Sequence, residues 1–389
     1  MIRQPIKDYC KNPFYMESSN LLDVFQNSYR QVFGSDLDIR QMKTATVFPE
    51  VISSGQQCLL CWDIQYWDFF DRFAVELACL IEDNSYQDVF LSQVCALYYD
   101  YLVLKLIHIP ELAYCLQVNR KRLFDIQNQT ERRMSLNTYN RYVEGDYEGI
   151  RIQAKQLTFN HELFHIFYKH NQREKLKDNE RLSKLAGIYL DSGLEDNIKG
   201  ADFAEVLRNG FDALLKADAE KMLEEACCDY RALIETLALY RKIDPQKEIY
   251  FIYQVHEAFR INQTLLSYFS NILSCWTILY KNYLVANSYD DLLQQCQPML
   301  AKAAQMAVIR NTIIPDFLET LSIGKYHITL PQSILDNDIV KGSIHEASNR
   351  MVDMNFMFYA IEESLRLFNQ PDYNPFELKN IILENAGYL

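Results

Sequence analysis

The sequence predicts a mainly α fold of the α+β class, with many helices and a small β-sheet. Three observations predict it. Glycine (11) and proline (10) are sparse among 389 residues, which favours long helices over a turn-rich all-β chain. Apolar residues recur at helical spacing along most of the chain. Only four short stretches carry the β-branched and aromatic enrichment of strands. At 49% hydrophobic residues the chain can bury a sizeable core, as one large domain or two coupled ones.

Taken in order, the first helical pattern is SSNLLDVFQNSYRQVF (18–33), which starts at a serine cap and repeats Leu21, Leu22, Phe25 and Tyr29 on one face. The strand candidates are TATVFPEVI (44–52), CLLCW (58–62), GIRIQ (149–153) and KYHITL (325–330). Residues 66–82 and 85–107 return to helical spacing. The polar segment 127–149, ending in acidic and glycine-containing turns, predicts a boundary. It separates an N-terminal helical region with a few strands (1–145) from a second region (146–389). Residues 265–285 are the longest apolar run, but Ser, Asn and Lys interrupt it, so it reads as a buried helix and not a membrane span.

The formal net charge of −13 makes nucleic acid and anionic membrane surfaces poor partners. The first residues lack the apolar run of a secretory signal, so the expected location is cytoplasmic. In that compartment the ten cysteines are expected to stay reduced. Cys58 and Cys61 form a CxxC without a second pair at zinc-ribbon spacing, and read as core residues. The NQT triplets at Asn128 and Asn262 match a glycosylation acceptor, a role that the expected compartment argues against.

The chemistry concentrates in QLTFNHELFHIFYKH (156–170). On a helix His161 and His165, at i and i+4, share a face about 6 Å apart at Cβ, a separation that suits two ligands of one tetrahedral zinc. Glu162 lies about 100° round the helix, placed to take a proton from a water beside the metal. Phe159, Leu163, Ile166 and Phe167 anchor the opposite side. A third ligand is required, and three sources compete. The spacing in which a third histidine follows a glycine fails, because Tyr168 and Asn171 hold those positions and His170 is one short. Glu180, in KDNERLSK, is available but sits in a solvated charged stretch. The third source is KMLEEACCDYRALIETL (221–237), where Glu225 and Asp229 again stand at i and i+4 on a mostly apolar helix. A carboxylate pair so placed is costly unless it meets a cation. Glu225 is therefore the expected ligand, Asp229 the acceptor that orients His161 or His165, and Glu224 the fallback ligand. Cys227 and Cys228 read as buried core residues.

HELFH followed some sixty residues later by EEACCDYRA resembles the gluzincin zinc metallopeptidases. Within them it is most similar to the group with an ExxxD second helix, which includes the CAAX-prenyl-protease-like enzymes and the phage-exclusion peptidase Lit. The resemblance covers roughly residues 149–240. It implies a zincin-like catalytic core, one Zn2+ per chain held by His161, His165 and Glu225, Glu162 as general base, and Asp229 supporting a ligand. It also implies a protein or peptide substrate. Those families carry a small alanine before the aspartate, where this chain has Cys228. Their later His-Pro segment followed by arginine has a partial match in His345 and Arg350, without the proline and one residue shorter. His327, Tyr326 and His345 are the candidates to stabilise a tetrahedral oxyanion, and His108 and His256 read as structural. Two functions follow. One is a soluble zinc-dependent endopeptidase, with the GIRIQ strand as the edge that pairs with an extended substrate. The alternative is a toxin-like effector or regulator that keeps the site for one protein partner.

Overall fold

The computed structural model describes residues 26–27, 29–30, 37–42, 49–54, 57–124, 146–182, 219–239, 245–286, 288–308, 318 and 333–385. A three-stranded sheet precedes a series of long helices. Its strands are β1 (Asp38–Met42), β2 (Glu50–Ser54) and β3 (Gln57–Asp63), in the order β1-β3-β2. β1 pairs parallel to β3, with Ile39 opposite Leu60, and β2 pairs antiparallel, with Val51 opposite Leu60. β3 is the apolar CLLCW stretch, and Leu59, Leu60, Cys61 and Trp62 are all buried, as a central strand covered on both faces requires. β1 was not expected. DIRQM is polar, with Arg40 paired to Asp38 at 2.9 Å, and only its partner strand marks it as sheet.

The helices are α1 (Ile64–Glu82), α2 (Gln87–Lys105), α3 (Pro110–Phe124), α4 (Asp146–His170), α5 (Ala219–Leu239), α6 (Pro245–Tyr283), α7 (Tyr289–Val308), α8 (Asp338–Met351), α9 (Met354–Phe368) and α10 (Pro375–Asn385). Buried Asp63 ends β3 and caps α1 by accepting from Gln65 N–H at 2.8 Å, so strand and helix follow without a linker. The 39-residue α6 is about 58 Å long and packs on α4, α5 and α7. Its buried Leu265, Phe269, Ile272, Trp276 and Leu279 come from the long apolar run, which is a core helix as expected. Among the described residues no helix is long and apolar enough to cross a membrane.

One cluster of buried side chains joins the two regions on either side of the polar segment. Tyr101 of α2 stacks on Phe269 of α6 with ring centroids 4.2 Å apart, and Trp62 stacks on Trp67 at 5.2 Å. Of the segment 127–149, where the boundary was expected, residues 127–145 lie outside the described residues and 146–149 begin α4; the serine cap at 18–19 and the KYHITL stretch also lie outside.

GIRIQ is not a strand. It forms the first turns of α4, and the reason is visible in its neighbours. In a strand Ile150 and Ile152 would share a face. Here Ile150 is buried, Ile152 is 37% exposed, and Ala154 and Leu157 continue the buried stripe from Ile150. The helical period extends well past the five residues that imitate a strand. Gly149 leaves room for the Gln254 side chain of α6, since a Cβ there would press on its amide.

Candidate metal centre

α4 and α5 lie antiparallel. Asn160 Nδ2 donates to Thr236 Oγ1 at 2.9 Å, while five residues further along α4 His165 meets Glu224, twelve residues back along α5. Both Asn160 and Thr236 are buried. This register places HELFH opposite the EEACCD turn of α5.

His161 Nε2 and His165 Nε2 lie 3.1 Å apart. Glu225 Oε2 is 3.3 Å from the first and 3.6 Å from the second. A tetrahedral zinc with ligand bonds of about 2.0–2.2 Å has ligand–ligand edges of roughly 3.3–3.6 Å. The three atoms therefore outline one face of such a coordination polyhedron, and His161, His165 and Glu225 form a group that could hold a metal ion. Each imidazole turns Nε2 inward because Nδ1 is engaged outward. His161 Nδ1–H donates to Asp229 Oδ1 at 2.8 Å, and Gln263 Nε2 of α6 donates to Asp229 Oδ2 at 3.0 Å. His165 Nδ1–H donates to Glu224 Oε1 at 3.1 Å. Glu224 is thus turned to the outer side of His165, away from the inward-facing triangle, and it is Glu225 and not the fallback Glu224 that joins the two imidazoles.

Burial opposes protonation of His161, yet the Asp229, Glu225 and Glu162 carboxylates around it raise its pKa well above the usual value. Burial opposes protonation of His165 too, and Glu225 with Glu162 again prevails, raising it. Burial would raise Glu225, but the two imidazoles hold it far below the usual carboxylate range. Glu162 is raised, by burial first and by Glu225 beside it, although the imidazoles and the Val51 N–H that donates to its carboxylate pull the other way. Four carboxylates (Glu162, Glu224, Glu225 and Asp229) line one cleft, where the two imidazoles and Lys175 lie against them.

The cleft encloses about 870 Å³ between β2, α4, α5 and α6. Tyr66 reaches it from α1, its hydroxyl donating to Asn262 Oδ1. Lys105 reaches it from α2, with burial lowering its ammonium to about 8. Buried Asn262, held by Tyr66, is closed to glycosylation in the folded chain. Behind the site Cys227 and Cys228 are buried core residues, as expected; burial raises the Cys227 thiol to about 12 and the Cys228 thiol further.

The other expected residues are not brought here. His345 is exposed on α8, and Arg350 on the same helix is exposed and paired with Glu346 at 2.5 Å; neither lines the cleft. The short motif GSIHEASNRM is an amphipathic helix whose Ile344, Ala347 and Met351 are buried, which leaves His345 on the outer face. Glu180 is exposed in the helical segment 172–182. Tyr326, His327 and Asn128 lie outside the described residues. His256 is buried and His108 is exposed with its ring bonded to Lys105 O at 3.0 Å, and both stand apart from the metal triangle. Sequence reasoning missed Tyr66, Lys175, Gln263 and the orienting role of Glu224. Only Glu224 had a signal, its place one residue before Glu225 on the helix that faces HELFH.

Comparison with protein-family models, with curated proteins and with solved structures finds no match to this chain.

Proposed function

We propose that the chain is a zinc-dependent endopeptidase of the gluzincin kind, with one ion held by His161 Nε2, His165 Nε2 and Glu225. The observation that carries this reading is the triangle of inward-facing ligand atoms, with edges of 3.1, 3.3 and 3.6 Å and an outward hydrogen bond fixing each imidazole. When bound, zinc supplies Lewis acidity toward a carbonyl oxygen and makes a water acidic near neutral pH. Glu162, next to His161 and steadied by the Val51 N–H, accepts the water's proton and returns it to the leaving amine. Asp229 and Glu224 hold the imidazoles so that Nε2 stays directed inward.

The GIRIQ edge expected for the substrate is replaced in this reading by β2. Val51 N–H points to Glu162 and therefore away from β3. Backbone groups alternate along an antiparallel strand, so the Val51 carbonyl and the Ser53 backbone groups share that side. An extended peptide pairing along Val51–Ser53 would run past Glu162. A cytosolic location belongs to the same proposal; the eight described cysteines are free thiols, which suits a reducing compartment.

The test is zinc content together with hydrolysis. One zinc per chain after dialysis against trace zinc, and chelator-sensitive cleavage of an unfolded generic protein, are expected. Zinc without cleavage would favour the single-partner effector, and absence of stoichiometric metal would remove both readings.

A further inference from the structure

The two histidines of the triangle are held by different means. Asp229 shares its second oxygen with a neutral amide, Gln263. Glu224 shares its second oxygen with an ammonium: Lys175 Nζ lies 2.5 Å from Glu224 Oε2, and Lys175 is only 9% exposed. Lys175 is not a loose surface side chain that happens to reach inward. Asn171 interrupts α4, its side chain donating to Phe167 O at 3.0 Å, and the chain turns into the helical segment 172–182. Arg231 of α5 clamps that segment through two bonds to Asp178, at 2.8 and 2.9 Å. Tyr168 Oη donates to the same carboxylate at 2.7 Å. The segment is anchored from both metal-site helices, and Lys175 stands between the anchor and the site.

We infer that Glu224 is a positioning residue for His165, locked in place by Lys175, and that the two histidines are thereby held by unequal carboxylates. The inference rests on the metal-binding reading of the Nε2 triangle. Lys175 fixes the Glu224 side chain, so that Oε1 stays at Nδ1 and cannot swing inward to compete with Glu225. It also draws charge from that carboxylate, whereas the amide of Gln263 leaves the charge of Asp229 in place. Glu224 therefore makes His165 a less basic ligand than Asp229 makes His161. This arrangement explains why the chain tolerates two successive glutamates at the metal: one faces the ion, and the other is occupied by a cation of the protein's own.

The variants Glu224→Ala, Lys175→Met and the double variant test it by cobalt and zinc affinity, metal stoichiometry and the ring nitrogen NMR shifts of the histidines. Glu224→Ala is expected to keep one metal per chain while affinity falls roughly 10- to 100-fold. Lys175→Met frees Glu224 to move but returns its charge to His165, so affinity should change less than in Glu224→Ala, and the change should vanish in the Glu224→Ala background. In metal-free protein, above the imidazole titration, Glu224→Ala should move His165 away from its Nδ1–H form and leave His161 unchanged. Glu224→Gln, which keeps an acceptor oxygen, should restore part of both signals. Loss of all metal in Glu224→Ala would make Glu224 a ligand and overturn the inference. Unchanged affinity and an unchanged His165 tautomer, with lowered thermal stability alone, would reduce the pair to a structural ion pair and overturn it also. Wild-type protein that binds no metal would remove the metal reading itself, while the tautomer measurement would still decide what Glu224 does to His165.

Discussion

His161 Nδ1 lies 2.8 Å from Asp229 Oδ1, a contact made between two helices across 68 positions of sequence. An aspartate so placed fixes the tautomer of the imidazole and leaves Nε2 free to face a metal. Asp229→Asn keeps the shape and one acceptor oxygen but removes the charge. Zinc affinity or turnover is expected to fall roughly 10- to 100-fold with the fold retained. Affinity and thermal stability measured side by side decide it, and unchanged affinity with lowered stability would leave Asp229 a structural partner only.

Glu162→Gln preserves an acceptor for the Val51 N–H and removes the proton carrier. Zinc stoichiometry should stay at one per chain while peptide hydrolysis disappears. Loss of the metal together with activity would give Glu162 a different task.

Glu225→Ala should abolish tight zinc binding. Glu180→Ala, on the exposed face of segment 172–182, should leave it unchanged. Equilibrium dialysis of the two variants compares them directly, and a reversed order would move the third ligand to segment 172–182.

His256 and Glu257 are adjacent on α6, both nearly inaccessible, and titrate in opposite senses. Burial, helped by Arg260, lowers His256 from 6.5 to about 4. Between those values the unfolded chain holds a proton that the native chain does not, so stability is lost as pH falls. Burial raises Glu257 from 4.5 to about 7, against its bond from Ile334 N–H and the nearby Arg260. There the native chain holds the extra proton, and stability is lost as pH rises. Each contributes about 3 kcal/mol, and the two slopes oppose one another over pH 4.5–6.5. Urea unfolding at pH 5, 6 and 7 should show stability rising with pH in Glu257→Gln and falling in His256→Gln. Parallel slopes in the two variants would contradict the assignment.

Gly149→Ala gains helix propensity of up to about 1 kcal/mol but sets a Cβ against Gln254. In the wild-type background the change should stabilise less than that, or destabilise. With Gln254→Ala present it should give the full gain. Equal effects in both backgrounds, read by thermal unfolding, would show that the close approach costs nothing.

HELFH and the Glu225–Asp229 pair were legible because each repeats at a spacing that a helix converts directly into a shared face. The mainly helical fold with its small sheet was legible for the same reason. The failures are equally local in origin. GIRIQ imitates a strand over five residues, and only the longer stripe through Ala154 and Leu157 reveals the helix. DIRQM carries no apolar alternation, because β1 is an edge whose pairing is decided by β3. Lys175 has no pattern to betray it. Its nearness to Glu224 depends on the turn at Asn171 and on the Asp178–Arg231 clamp, and neither is written in the residues around it.

The antiparallel fit of α4 on α5 acts as a vernier. Asn160–Thr236, His161–Asp229 and His165–Glu224 coincide at a single sliding position, and a shift of one helical turn, about 5.4 Å, would break all three together. Two of the marks belong to the candidate metal centre, but the buried Asn160–Thr236 mark does not, and neither does the Arg231–Asp178 clamp. The helices can therefore keep their alignment when the ligands carry no ion. If the triangle holds an ion as proposed, its edges are framed by contacts outside it, and the register of the two helices does not depend on the ligands alone.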